Sequence, residues 1–590
     1  MNKKITVYIF SGLMSATLPA VSQTLTEEVV IDREITPVVR NSVRPGWVTP
    51  SLLTPGVKVQ PLLPREYLGT AELTRSIAPL APVEWGDSVM RSPYRGYASV
   101  GYFPAFNLGA GVGYRVVRDK TKDVGLHFSY DGSSWSAGHE LTEKLRSNRI
   151  DGGADAVIVF RPGTLKASFN YTYSSTTMTA LPERFDRGTQ ALNDVDLTVG
   201  WNPSAPVGRF GWDAEVRFNY GGFTKAKNEA LGALFFVPSP EFEFAPAKDI
   251  NFGLTSNLSF AMGGSSAIVL GVGLDFRHSD NFNVILPKML GTEETGEEYV
   301  AEVVNNYGPQ TEGIITLRPG WKFDRKKVAG RIGVRLDVNT GELQHDTHVA
   351  PDIELQWAPV SMFSVDFHAT GGEVMNTNSE LWKRNPWATG IMSMERSHIN
   401  ADINLALTFG SYKGFWATLH GGWSSVSDWA TPVTIKNVNT WALMEEFNGC
   451  NYGLELGYAW RNLLLVKAGA EGATHGKYYR WQDNAKWAFN IAAKVRPIEK
   501  LQIEAGYSVR VDRIGFSLEA MPSVMNYAYF QGRKVHLGDT SNLFVGAEYS
   551  VTDSFGVFVK AENLLNHHWQ ITENVRSRGI HGLIGVQLKF

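Results

Sequence analysis

Charged and apolar residues alternate along much of this chain, and that alternation decides what the charges can do. Arg217, Arg331, Arg335, Lys494, Arg510 and Lys560 fall on the same faces as Asp213, Glu215, Asp337, Glu504, Glu548 and Glu562. Opposite signs on one face can pair across neighbouring strands. They can equally line a wet channel or hold an inserted segment. Aromatics gather in two irregular stretches, KYYRWQDNAKW and MNYAYFQ. Tyr478, Tyr479, Trp481, Tyr527 and Tyr529 are therefore the candidate ligand-binding residues, since their rings can stack on a sugar or peptide. The competing reading is a loop canopy that packs on itself. His567 and His568 are adjacent, so on a strand they point to opposite sides and make poor joint ligands. There is no Gly-x-Ser-x-Gly turn, no His-Glu-x-x-His and no phosphate loop. The sequence thus predicts no enzyme, no catalytic residue, no metal site and no cofactor.

The elements that must carry these residues are strands. In LQIEAGYSVRVD, Leu501, Ile503, Ala505, Tyr507, Val509 and Val511 share one face, with Gln502, Glu504, Arg510 and Asp512 opposite. NLFVGAEYSV, GWDAEVRFNY and VAGRIGVRLDV repeat the pattern. Side chains alternate with period two, so a one-residue slip would reverse each face and the register is well specified. Short turns such as RDKTKD, RPGTL, FDRKK, APVS and VTDS join the strands in pairs. Long irregular segments separate the pairs, among them TGGEVMNTNSELWKRNPWATGIMSMERSH. The count comes to about 22 strands, an even number of the kind bacterial outer-membrane barrels have. The sorting of short and long connections predicts an all-β transmembrane antiparallel barrel over 94–590, with short periplasmic turns and long extracellular loops.

The 590 residues include 58 glycines, 12% aromatics and 43% hydrophobics, with a formal net charge of −3. That charge speaks against nucleic acid as a partner. No apolar run beyond the N-terminus reaches the roughly 20 residues of a transmembrane helix. A barrel needs none, but lipid tolerates no open sheet edge, so its last strand must pair with its first. The closing segment HGLIGVQLKF supplies such a strand. Ile584, Val586, Leu588 and Phe590 are expected to face lipid, with Gln587 and Lys589 facing the lumen. Tyr458, Trp460, Trp321 and Trp357 fall near strand ends, where interfacial girdles belong. Residues 1–22, with Lys3, Lys4 and an apolar run to Leu18, read as a secretory signal peptide ending at Ala20-Val21-Ser22. Residues 23–93 hold prolines 37, 45, 50, 55, 61, 64, 79 and 82 and read as an extended segment. Cys450 is the only cysteine, so no internal disulfide is expected.

The C-terminal stretch FGVFVKAENLLNHHWQ, followed by RGIHGLIGVQLKF, resembles the end of a TonB-dependent receptor barrel. Asn563, Leu564 and Asn566 match that family's Asn-Leu-x-Asn motif, and about 22 strands is its barrel size. The resemblance implies a cell outer-membrane location and uptake of a nutrient. The partners it suggests are membrane lipid, a small-molecule, sugar or peptide substrate, and a partner lipoprotein or TonB. The family's plug domain has no counterpart in the stretch before the first expected strand. Loss of the plug, or a relative without energised gating, is the expectation. A wide lumen then needs another occupant, and inward folding of the 281–313 loop is the expected one. The alternative function is a structural or assembly scaffold. Convergent aromatics above an open lumen would favour transport, whereas a lumen filled by its own chain would favour the scaffold.

Overall fold

A computed structural model describes residues 94–590, apart from 105, 137–143, 178–188, 205, 207, 225–245, 264, 283–285, 292–298, 305–307, 342–345, 390–393, 412–413, 436–437, 476–483, 521–529 and 574. The expected signal peptide and proline-rich segment lie outside the described residues. So do Tyr478, Tyr479, Trp481, Tyr527 and Tyr529.

One sheet of 25 strands runs from Gly96–Phe103 to His581–Lys589. Two of these, Leu286–Gly291 and Tyr299–Val304, form a hairpin off the wall. Phe530–His536 and Thr540–Ser550 both pair with Leu501–Ala520 and are halves of one interrupted strand. The wall is therefore a closed antiparallel barrel of 22 strands. Its seam joins the first strand to the last in antiparallel register from Tyr97↔Lys589 to Tyr102↔Ile584. Arg95 and Gly96 both donate to the Phe590 carbonyl, and the Phe590 ring stacks on Tyr114 at 6.1 Å. The closed seam leaves no edge groups for hydrocarbon to strand.

Alternation sets the two faces. Ile584, Val586, Leu588 and Phe590 lie exposed on the outside of the closing strand, whereas Leu583 and Gln587 are buried. The same outward band includes Val112, Leu126, Phe128, Phe169, Phe252, Phe276, Leu405, Leu419, Phe489 and Val559. A continuous band of this kind is stable only against lipid tails. Tyr458, Trp460, Trp321 and Trp357 are also exposed, near the short-turn end. Inside, the charges largely neutralise one another. Arg331 meets Asp352 at 2.7 Å, Arg335 meets Asp337 at 2.7 Å, and Arg217 lies 3.4 Å from Glu215.

One end of the barrel carries connections of two to six residues, such as 264–265 and 204–209. At the other end several strands overshoot the wall. Phe415–Ile435 and Val438–Trp460 form a long hairpin. Asp428 interrupts it with φ +48°, and Asp512 interrupts Leu501–Ala520 with φ +57°. Residues in this left-handed region bend a strand sharply. Above the bends, Thr434↔Ser517 and Ile435↔Leu518 pair in parallel. The hairpin Leu286–Val304 reaches over to pair with Leu443–Met444 on one side and Phe530–Gly532 on the other. These contacts join six strand segments into a small closed ring over the mouth. The 281–313 loop, expected to fold into the lumen, thus contributes its described strands to this ring.

Candidate functional site in the lumen

The segment whose described residues, 375–389 and 394–396, cross the lumen lies between the strands Phe363–Val374 and Ser397–Gly410. It begins with a short helix, Asn378–Arg384. Thr377 caps that helix by accepting from the Glu380 amide, Glu380 sits in the first turn and Lys383 and Arg384 in the last. This arrangement suits the helix dipole. Lys383, drawn by Glu380 and Asp194 against the effect of burial, has its pKa raised above the ordinary lysine range.

The crossing rests on polar groups of the opposite wall. The Asn378 amide donates to Asp249 Oδ2 at 2.7 Å, and Ser379 Oγ donates to Asp194 Oδ1 at 2.8 Å. Gln190 Nε2 donates to the carbonyls of Pro386 and Ala388 at 2.9 and 2.7 Å, and Thr176 Oγ1 donates to Pro386 at 2.9 Å. Arg277, 1% exposed, is the central clamp. It donates to the Asn376 carbonyl at 2.5 Å, to Met394 at 2.6 Å and to Glu312 Oε2 at 2.5 Å. Gly221 lies where the helix comes nearest, since a Cβ there would stand 2.8 Å from Ser379 Oγ. Glycine lets the helix approach this closely, and a larger side chain at 221 must either displace Ser379 or bond to it.

Apolar contacts finish the seal. Trp382 packs with Leu192 and Phe223, and Trp387 with Leu145, Ile571 and Val575. Leu381, Ala388 and Met394 pack with Ala430, Trp441 and Leu443 of the overshooting hairpin. Arg384 lies between two rings, 5.1 Å from Trp429 and 5.0 Å from Trp441, and donates to the Ala430 carbonyl. The crossing thus spans from one side of the lumen to strands nearly opposite.

The Asn-Leu-x-Asn motif lies at the same end of the barrel. Asn563 is wholly buried with φ +50°, and Asn566 has φ +51°. Asn563 Nδ2 donates to the carbonyls of His567 and Arg578, both at 2.7 Å, and its Oδ1 accepts from the His567 amide at 3.0 Å. The Leu564 amide donates to the Leu543 carbonyl, and Asn566 Oδ1 accepts from the Ile580 amide. Asparagine tolerates the left-handed conformation and ties down the loop it starts. The motif's physical role here is a turn that seats 563–580, including Ile571 and Val575 beneath Trp387.

No family model and no curated protein matches this chain. Solved structures do. The apoprotein of the FrpB iron transporter from Neisseria meningitidis, F5-1 variant, aligns with a TM-score of 0.62 over 85% of this chain and 82% of that one, at 11% identity. The siderophore receptor PirA from Acinetobacter baumannii aligns with a TM-score of 0.57 over 84% and 80%, at 9% identity. The chain shares their fold. FpvA of P. aeruginosa, bound to heterologous pyoverdines, gives 0.56 over 84% and 72%, at 10% identity. The expected closed antiparallel barrel of about 22 strands is therefore the observed one, and its fold is that of these solved barrels.

The residues that build the crossing were not singled out from sequence. The segment SELWKRNPWA does carry a signal, because two tryptophans and a leucine at close spacing are costly in a solvated loop. Reading it that way would have pointed to a buried seat.

Proposed function

We propose that the chain is an outer-membrane uptake barrel whose lumen is opened by displacement of the 375–396 crossing. The observation that carries this reading is the polar character of the wall beneath it. Thr176, Gln190, Asp194, Asp249, Arg277 and Glu312 are all buried by the crossing or beside it. A permanent staple is more stable with apolar groups of similar shape than with buried ion pairs. Polar groups suit a surface that is wet in one state and covered in another, because water can replace each hydrogen bond on release. In this reading the short turns are periplasmic and the ring and crossing face outward. The substrate belongs to the class of small polar nutrients, with iron complexes first among them because FrpB is an iron transporter and PirA a siderophore receptor.

The scaffold reading has an observation of its own: the lumen is crossed by the protein's own chain, with Trp382 and Trp387 buried at 5% and 2% exposure. A reversible lock separates the two. Cysteines at Gly221 and Ser379, in a Cys450→Ser background, are close enough to bridge. Cells carrying the oxidised lock, the unlocked protein or no protein are compared for uptake across a nutrient panel, radiolabelled iron chelates included. Transport requires that the lock reproduce the null strain for at least one nutrient and that reductant restore it. A null strain with a defect that the locked protein fully complements would establish the scaffold.

A further inference from the structure

At the root of the crossing the fold brings together donors that are remote in sequence. His348 opens the strand Thr347–Val360, Glu373 closes Phe363–Val374, and His398 opens Ser397–Gly410. Glu373 and His398 are direct cross-strand partners. His398 Nδ1 lies 2.9 Å and His348 Nε2 3.3 Å from the same oxygen, Glu373 Oε1. The donor atoms of all three lie within 4.8 Å of one another. Asp346 Oδ2 is 2.8 Å from His348 Nε2 and supplies a fourth donor.

Three features distinguish this group from an ordinary polar cluster. The two imidazole rings are tilted by 40° with centroids 3.9 Å apart, and both aim at one carboxylate. Glu373 has a side chain only 1% exposed, and among the described residues its Oε2 accepts no hydrogen bond and meets the charge of Arg396, with Nε at 3.3 Å. Finally, the two nitrogen–oxygen spacings, 2.9 and 3.3 Å, are those of a coordination shell. Nitrogen and oxygen donors bound to one ion at about 2.0–2.2 Å stand roughly 3 Å apart.

We propose that His348, Glu373 and His398, with Asp346, bind one divalent first-row transition-metal ion. Two imidazoles and carboxylates suit Zn²⁺, Fe²⁺, Mn²⁺, Co²⁺ or Ni²⁺. Imidazole disfavours Ca²⁺ and Mg²⁺, which take oxygen donors. No thiolate takes part, since the lone Cys450 is exposed elsewhere. Arg396 pairs with Asp346 at 3.1 Å and with Glu373, so it competes with the ion for both carboxylates. Arg396 is two residues from Met394, whose carbonyl Arg277 holds. Ion binding therefore draws Arg396 away from the root of the crossing. The site stands on these donors alone and does not depend on the transport reading.

The test uses the full chain, purified in detergent without a histidine tag and stripped with chelator. Zn²⁺ and Co²⁺ are titrated by calorimetry, and the Co²⁺ complex is followed by its visible spectrum. One saturable equivalent is expected, with the spectrum of mixed nitrogen and oxygen ligation. His348→Gln/His398→Gln should weaken binding by about 100-fold or more, beyond what an outer-shell change costs. His536→Asn, at an exposed histidine far from the cluster, should bind as the parent does. Heat-modifiable mobility checks that each variant is folded. Absence of saturable binding by the parent overturns the proposal, as does full binding by a folded double variant. If the double variant does not fold, Glu373→Gln and Asp346→Asn take its place, and undiminished affinity in both overturns the proposal equally.

Discussion

Replacing Arg277 with methionine tests whether the crossing is a latch. Methionine keeps most of the volume and removes the charge. The crossing loses two charge-assisted bonds, to the carbonyls of Asn376 and Met394. Each is worth about 1.5–3 kcal/mol. Glu312, 4% exposed, keeps its charge without its partner, and breaking such a pair costs about 3–5 kcal/mol in all. Taking only the lower bound for the two carbonyl bonds gives about 3 kcal/mol against the docked state. At about 1.4 kcal/mol per factor of ten, the docked-to-undocked ratio falls by about 100-fold. Two readouts follow this. Single proteins in a planar bilayer should change from rare to frequent openings. Spin labels at Glu380→Cys and Lys326→Cys, with Cys450→Ser, should report a second, broader distance distribution. Arg277→Met/Glu312→Leu should recover thermal stability yet keep the openings, because the carbonyl bonds remain absent. Unchanged conductance and distances, with a lowered melting temperature, would refute the reasoning and make Arg277 a staple of the wall.

Four further outcomes are expected. Val586→Arg places a charge on the outer band and should cost about 2–4 kcal/mol near the bilayer midplane, while Gln587→Arg, next to Glu548 at 2.5 Å, should cost far less; urea unfolding in lipid vesicles compares them. Asn563→Ala strands two buried carbonyls and keeps a left-handed φ, a loss of about 2–4 kcal/mol, and Asn563→Gly should recover only the conformational part in the same assay. Asp346, despite burial, is held below the ordinary carboxylate range by hydrogen bonds from Asn339 and His348 and by Arg396. A depressed native pKa stabilises above the unfolded value of about 3.9 and is lost as pH falls through the native value, so the melting difference between the parent and Asp346→Asn in chelator should close as pH falls below about 3.9; a gap that widens below that pH would contradict it. For orientation, a membrane-impermeant maleimide on intact cells should label Lys144→Cys and leave Lys326→Cys unlabelled until the outer membrane is permeabilised.

The wall was legible because alternation is a local property. LQIEAGYSVRVD and NLFVGAEYSV announce strand, face and register within a dozen residues, and the seam followed from the rule that lipid allows no edge. The mouth was not legible, because its contacts depend on which strands stand opposite. The sequence pointed to the 281–313 loop as occluder, yet that loop gives its strands to the ring, and Trp382 and Trp387 of another loop find their seats against Leu192 and Leu145. The histidine cluster is harder still. His348, Glu373 and His398 are equally spaced 25 residues apart in the chain, a separation that no motif covers. Only the pairing of three successive strands brings them together. The adjacent His567 and His568 drew attention first, and neither belongs to the metal-donor group found among the described residues.

The ring over the mouth also bears on how the molecule assembles. Its six segments come from three regions, 286–304, 428–447 and 514–536, and two of its joints are parallel pairings of two residues each. Closing such joints means bringing together points more than 80 residues apart, an entropic cost that falls steeply once the intervening wall is in place. The ring therefore cannot guide the barrel into shape; it can form only on a wall already rolled. A nascent chain would hold an open cup, with the crossing free to find its seat from above, until the hoop closes over it. The order of events is written into the connectivity: wall, then seat, then hoop.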